Sequence, residues 1–155
     1  MSEEKELRAK RAFETLKKAL EADNWPYKAV EEDNTVFCKA QGEDLPIDIK
    51  FAFNDKIELA IVMSRIPFNI SEEKRIDAAL AVNMVNGMLV DGCFEYDVTT
   101  GAIYFRTSNS FAGTELSADL LMSMLIRSCK IVDDYNDRFL MLDKGMLSLE
   151  DFIIS

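Results

Sequence analysis

Histidine is missing from all 155 residues of this chain. With it goes the side chain that titrates near neutral pH, and so the commonest general base, the Ser-His and Cys-His nucleophile pairs and the commonest transition-metal ligand. Cysteine is scarce. Cys38, Cys93 and Cys129 are far apart, odd in number and form no Cys-x-x-Cys, which points to reduced, buried thiols and to neither a zinc site nor a disulfide framework. No apolar run approaches the ~20 residues needed to span a bilayer. The opening Met1-Ser2-Glu3-Glu4-Lys5 lacks the layout of a signal peptide, so a cytoplasmic protein is expected. Positive charge is also short: 18 Lys and Arg stand against 28 Asp and Glu, a formal charge of −10. The cations are scattered, and nucleic acid and anionic membrane both need a gathered basic footprint. Neither is expected as a partner. Acidity favours solubility first and basic or amphipathic protein partners second.

What is present describes a globular chain. The length suits one domain, 1–155, with a substantial core. Apolar residues at 48% and aromatics at 10% argue against disorder. Residues 3–22 form a charged helix whose apolar stripe runs through Leu7, Ala9, Phe13, Leu16 and Leu20. Asn24-Trp25-Pro26 ends it, because the residue before a proline is pushed out of the helical region. Three strands are expected next. They are Thr35–Ala40, the strictly alternating Ile47–Phe53, and a third in which Ile57, Leu59, Ile61 and Met63 line one face. The turn signal Asn54-Asp55 separates the last two, giving a half-buried antiparallel meander.

Ser71 is placed to cap a helix running to about Leu89, with Glu72 and Glu73 in its first turn. Its polar stripe, Glu72, Arg75, Asn83 and Asn86, is narrow. Ile76, Leu80, Met84 and Met88 occupy one flank, and Ala78, Val82, Val85 and Leu89 the other. A helix lying on a sheet at a surface needs an apolar arc of only about 100°. The excess points to an interface besides the core, with Ala78, Val82, Met84, Val85, Met88 and Leu89 as candidates. Methionine, eight in all, suits surfaces that accept varied apolar partners, although core filling is its commoner use.

Residues 90–108, VDGCFEYDVTTGAIYFRTS, contain a hairpin whose register follows from its faces. A four-residue loop, Val98–Gly101, sets Phe94 opposite Phe105 and Tyr96 opposite Ile103. A one-residue slip would oppose Phe94 with Arg106 and mix oil with charge. Such loops are built around a type I turn, with Asp favoured first and Gly101 in the left-handed conformation. Metal, phosphate or nucleophile chemistry fits the loop poorly. Asp97 stands four residues before Gly101, whereas an aspartic-protease loop has its carboxylate immediately before Thr-Gly. A calcium loop needs more oxygen ligands, and a phosphate cradle needs more glycines or a helix N-terminus. The last long helix starts near Ser117, carries Leu121, Leu125, Val132, Tyr135, Phe139 and Leu142 on one stripe, and stops at Gly145. Ser148 caps a short final helix, about 149–154. The acidic group Asp133, Asp134 and Asp137 lies on the last long helix. Asp133 and Asp137, four apart, share a face and could ligate a cation and serve a metal-dependent enzyme, but without histidine or opposing carboxylates a solvated helix face is the expected reading.

The stretch from about Pro67 to Ser108 resembles the YbjN family of bacterial sensory transduction regulators. The matching positions are Asn86 near the helix end, Gly92 and Phe94 opening the hairpin, Asp97 and Gly101 in its turn, and Ile103 and Arg106 on the return strand. The order helix, three strands, helix, two strands, helix is that of the type III secretion chaperone-like fold. The resemblance implies an α+β domain with an antiparallel sheet packed by helices, no cofactor and no catalytic or metal-binding residue. It also implies a non-enzymatic, cytoplasmic protein-binding or regulatory role. In secretion chaperones, small acidic homodimers hold an extended segment of an effector, and the middle helix contributes to dimerisation. A homodimer is therefore expected, as is a protein partner whose identity the sequence does not give. The alternative is a chaperone that sequesters an extended or amphipathic segment of a secreted or regulatory protein.

Overall fold

Charged residues dilute the apolar stripe of the first helix, so only one side of it can be buried. A computed structural model describes residues 2–154 of the chain. In α1 (Ser2–Ala22) the buried side is Ala9, Ala12, Phe13, Leu16 and Leu20. Leu7, expected on that stripe, is exposed. It lies two residues from Ala9, about 200° around the helix, and Ala12 takes its place. The helix ends with Asn24 in the left-handed region (φ 53°) and the Trp25 N–H donating to the Leu20 carbonyl at 2.9 Å, which satisfies a carbonyl the helix leaves open.

Six strands follow rather than five: β1 (Tyr27–Val30), β2 (Thr35–Gln41), β3 (Pro46–Asn54), β4 (Leu59–Asn69), β5 (Cys93–Asp97) and β6 (Ala102–Ser110). They form one sheet in the order β1-β2-β3-β4-β6-β5, antiparallel throughout. The unexpected β1 is four residues long and shows no two-residue burial rhythm, so it carries no periodic signal. β4 continues six residues beyond Met63. Pro67 is tolerated there because the ladder with β6 shifts register between Arg65 and Asn69, and irregular stretches accept a residue without an N–H.

One face of the sheet is the core. Ile47, Ile49, Phe51 and Phe53 of β3 point into it, as do Val36 and Cys38 of β2, and Ala60, Val62, Ser64 and Ile66 of β4. Leu59, Ile61 and Met63 do share a face, as expected, but it is the opposite one; they are half-buried. Ile57 sits in the preceding turn and is exposed. The helices α1 and α3 (Ala118–Asp143) cover the inner face. Phe13 of α1 meets Phe53 edge-on, with ring centroids 6.5 Å apart. The outer face is open to solvent, where Phe37, Lys39, Asp48 and Lys50 are exposed.

The stripe expected on α3 is buried, with Tyr135 half-exposed. Ser128 fills the gap in that stripe between Leu125 and Val132, and its hydroxyl lies 2.8 Å from that of Ser64 on β4. Ser117 caps α3 by accepting from the Leu120 N–H. Gly145, at φ 70°, closes it. Ser148 accepts from the Asp151 N–H at the start of α4 (Leu149–Ile154), whose Phe152 packs on Phe139.

Ser71 departs from expectation. A single 3-10 turn, Glu72–Lys74, precedes α2 (Arg75–Met88), and the Ser71 hydroxyl makes no cap bond. Its backbone N–H instead donates to the Asp143 carboxylate at 2.7 Å. A charged acceptor at the end of α3 thus fixes the entrance to α2.

Candidate functional site

The hairpin is built as its side-chain pattern requires. Phe94 stands opposite Phe105, Tyr96 opposite Ile103 and Asp97 opposite Ala102. The loop closes with the Gly101 N–H donating to the Asp97 carbonyl at 2.7 Å. The Asp97 carboxylate accepts from the N–H groups of Thr99 (2.9 Å) and Thr100 (3.4 Å). The Thr99 bond is the main reason its pKa lies below the ordinary carboxylate value. Arg75, at the start of α2, donates to the Thr99 carbonyl at 2.6 Å. The acidic and backbone groups that might have held a ligand therefore hold the loop.

Gly101 does more than turn the chain. At φ 80° it occupies the left-handed region, and a Cβ there would lie 2.2 Å from the Ile70 carbonyl oxygen. The Ile70 N–H donates to the Gly101 carbonyl at 2.8 Å, so the loop is seated on the end of β4. Gly92, at φ 75°, is similarly confined: a Cβ would come 2.5 Å from the Phe105 ring. Phe94 lies edge-on to Phe105, Tyr135 and Phe139, with centroids 5.2, 5.8 and 5.5 Å away. Ile103 is fully buried. Arg106 pairs with Glu95 at 2.8 Å across the hairpin's outer face.

Asn86 explains itself in three dimensions. Its Oδ1 accepts from the Phe94 N–H (2.7 Å) and its Nδ2 donates to the Phe94 carbonyl (2.9 Å). β5 is an edge strand, and one amide side chain supplies both halves of the pairing that a neighbouring strand would have made. All seven hairpin-motif residues are thus brought together, and each does conformational work.

The six residues expected at an interface on α2 divide. Ala78, Val82 and Val85 are buried in the chain's own core, on the flank that meets β5, α3 and α4. They cannot reach a partner without opening that core. Leu89, just past the helix, is half-buried against the same cluster. Met84 and Met88 lie on the other flank, exposed together with Ile76 and Leu80, by 41% and 59% against 75% and 49%. The doubly apolar helix therefore spends one flank inside the fold and leaves the other in solvent.

The acidic residues of α3 are dispersed. Asp133 accepts from the Glu43 N–H at 2.9 Å and braces the turn between β2 and β3. Asp134 pairs with Lys130 at 3.5 Å. Among the described residues no three acidic or thiol side chains converge as metal ligands would. Burial pushes the Cys38 thiol up to about 12 and the Cys129 thiol to about 11, with Asp133 adding to the second. Both are poor nucleophiles at neutral pH. No helix among the described residues is long and apolar enough to cross a membrane.

No family model matches the sequence, and no curated protein matches it. Solved structures do. YbjN from E. coli, a provisionally assigned transcription regulator, superposes with a TM-score of 0.59 at 9% identity, over 81% of this chain and 92% of its own. The fold is shared with YbjN. A chain of the ExsC–ExsE complex superposes with a TM-score of 0.56 at 12% identity, over 81% of this chain and 90% of its own. The type III secretion chaperone-like architecture expected from the order of elements is the architecture observed. At these identities what carries over is the fold.

Sequence reasoning missed Ser64, Ser128, Asp143 and the outer residues of the sheet. The last group needed strand pairing to be seen. The polar residues carried a weak signal, Ser128 standing on the apolar stripe of α3.

Proposed function

We propose that the chain is a non-enzymatic, cytoplasmic protein-binding domain of the regulator type that dimerises through the exposed flank of α2. The observation that carries this reading is the row Ile76, Leu80, Met84 and Met88, four large apolar side chains on one helix face in solvent. Two copies of such a face form a self-complementary interface about a two-fold axis. Removing a Leu or Met from water contributes about 1.5–3 kcal/mol per side chain, enough for a few such residues to offset part of the cost of association. Sedimentation or light scattering should give twice the 17.6 kDa chain mass, and Leu80→Asp with Met84→Asp should return it to one chain with unchanged circular dichroism. A wild-type protein that stays at one chain mass at several hundred micromolar refutes the dimer. A second reading, capture of an extended or amphipathic segment of a secreted or regulatory partner, is favoured by the open outer face of the sheet.

A further inference from the structure

The strand register assembles a pattern on that outer face which no segment of the sequence contains. Lys28 of β1 stands opposite Phe37 of β2, Phe37 opposite Lys50 of β3, Lys50 opposite Met63 of β4, and Met63 opposite Arg106 of β6. Cation and apolar side chain alternate across five strands. Beside this row Arg65 stands opposite Tyr104, and the two enclose, with Phe37 and Met63, a groove of about 680 Å³. The face carries five cations, Lys28, Lys39, Lys50, Arg65 and Arg106, against three carboxylates, Asp48, Glu95 and, at the hairpin turn, Asp97. Those carboxylates are already engaged, Asp48 with Lys39 at 3.5 Å, Glu95 with Arg106 at 2.8 Å, and Asp97 with the N–H groups of Thr99 and Thr100. On a chain of net charge −10, this is a local reversal of sign.

Resting on the segment-capture reading above, we propose that this face binds an acidic amphipathic helix of a protein partner. Charge complementarity selects an acidic segment, and the apolar members of the row select one that also presents hydrophobic side chains. The spacing selects its form. Neighbouring strands lie about 4.8 Å apart, so cations recur about every 10 Å with an apolar side chain midway. A helix rises about 5 Å over three to four residues, so one with carboxylate and apolar residues alternating at that interval matches the row. An extended strand, at about 6.7 Å per two residues, drifts out of step. The groove lies on the open face of the sheet, with Phe37 43% exposed, which suits a segment laid across it better than a small ligand enclosed on most sides.

The test uses the full chain and a fluorescein-labelled 18-residue peptide with Glu and Leu alternating every three to four residues on one helical face. Anisotropy should report binding that weakens at least tenfold between 50 and 500 mM NaCl and at least tenfold in Lys28→Glu/Lys50→Glu. Both substitutions replace exposed side chains, and circular dichroism should be unchanged. Equal affinity for a scrambled peptide or for one with Lys replacing Glu overturns the inference, as does full affinity in the double variant. Tighter binding of a labelled oligouridine that displaces the peptide assigns the face to nucleic acid and overturns it too. A change of chain mass in Lys28→Glu/Lys50→Glu makes the face a contact between copies, with the same consequence. Leu80→Asp/Met84→Asp should still bind the peptide, so failure of the α2 dimer and failure of this site are separately visible.

Discussion

Gly101→Ala should destabilise the fold by more than its backbone conformation alone explains. An alanine in the left-handed region costs about 1–2 kcal/mol. At Gly101 the added Cβ would also lie 2.2 Å from the Ile70 carbonyl oxygen and 2.8 Å from its nitrogen. Both are backbone atoms, which cannot swing aside as the end of a side chain can. Relief requires the loop to lift, and that breaks the Ile70 N–H to Gly101 carbonyl bond, worth about 0.5–1.5 kcal/mol net. It also shifts Ile70, which is buried, from its packing. We expect a total loss of about 2–4 kcal/mol. Gly145 supplies the control: it has a similar φ of 70° but nothing within 4 Å of the would-be Cβ. Gly145→Ala should therefore cost only the conformational part. Urea unfolding followed by circular dichroism, with equal m-values checked first, gives both numbers. Equal losses at the two sites would refute the argument that the loop is seated on β4.

Two further outcomes are expected. Ser128→Ala leaves the fully buried Ser64 hydroxyl without its partner at 2.8 Å and should cost about 1–3 kcal/mol. The double variant Ser64→Ala/Ser128→Ala should cost less than the sum of the two single ones, and strict additivity in a double-mutant cycle would show that the hydroxyls do not depend on each other. The buried thiols should make stability fall in alkali. With Cys38 at about 12 and Cys129 at about 11 when folded, the unfolded chain loses these protons first, from about pH 8.5. Their contribution is thus complete below that pH and is lost as pH rises toward 11–12, at up to about 1.4 kcal/mol per pH unit per thiol. Chemical denaturation from pH 7.5 to 10 should show a shallower decline for Cys38→Ala than for the wild type; identical slopes would refute the assignment.

The hairpin was the most legible part of the chain. Phe94, Tyr96, Ile103 and Phe105 alternate with polar residues, and only one register keeps oil with oil, so local pattern and tertiary pairing coincide. The caps Ser117 and Ser148 were legible for the same reason: each acts on a backbone N–H only three residues away. The turn role of Gly101 is legible in the local pattern, and its φ of 80° agrees. The stronger constraint comes from Ile70, thirty-one positions earlier in the sequence, and periodicity carries no information about such a contact.

Where two faces of an element were both apolar, sequence left the choice open. Leu59, Ile61 and Met63 look like a core face until Ala60, Val62, Ser64 and Ile66 prove to be the buried set, since that is the face α3 packs against. On α2 both flanks were apolar, and only packing showed that Ala78, Val82 and Val85 belong to the core while Ile76, Leu80, Met84 and Met88 remain outside. The cations of the outer sheet face are scattered along the chain from Lys28 to Arg106 and become a row only when five strands are paired. The sequence by itself determined every strand but β1, the long helices, their order and the hairpin register, because those depend on interactions between near neighbours. Which apolar faces are buried and which charges stand together depends on contacts between distant segments, and tertiary structure alone decided them.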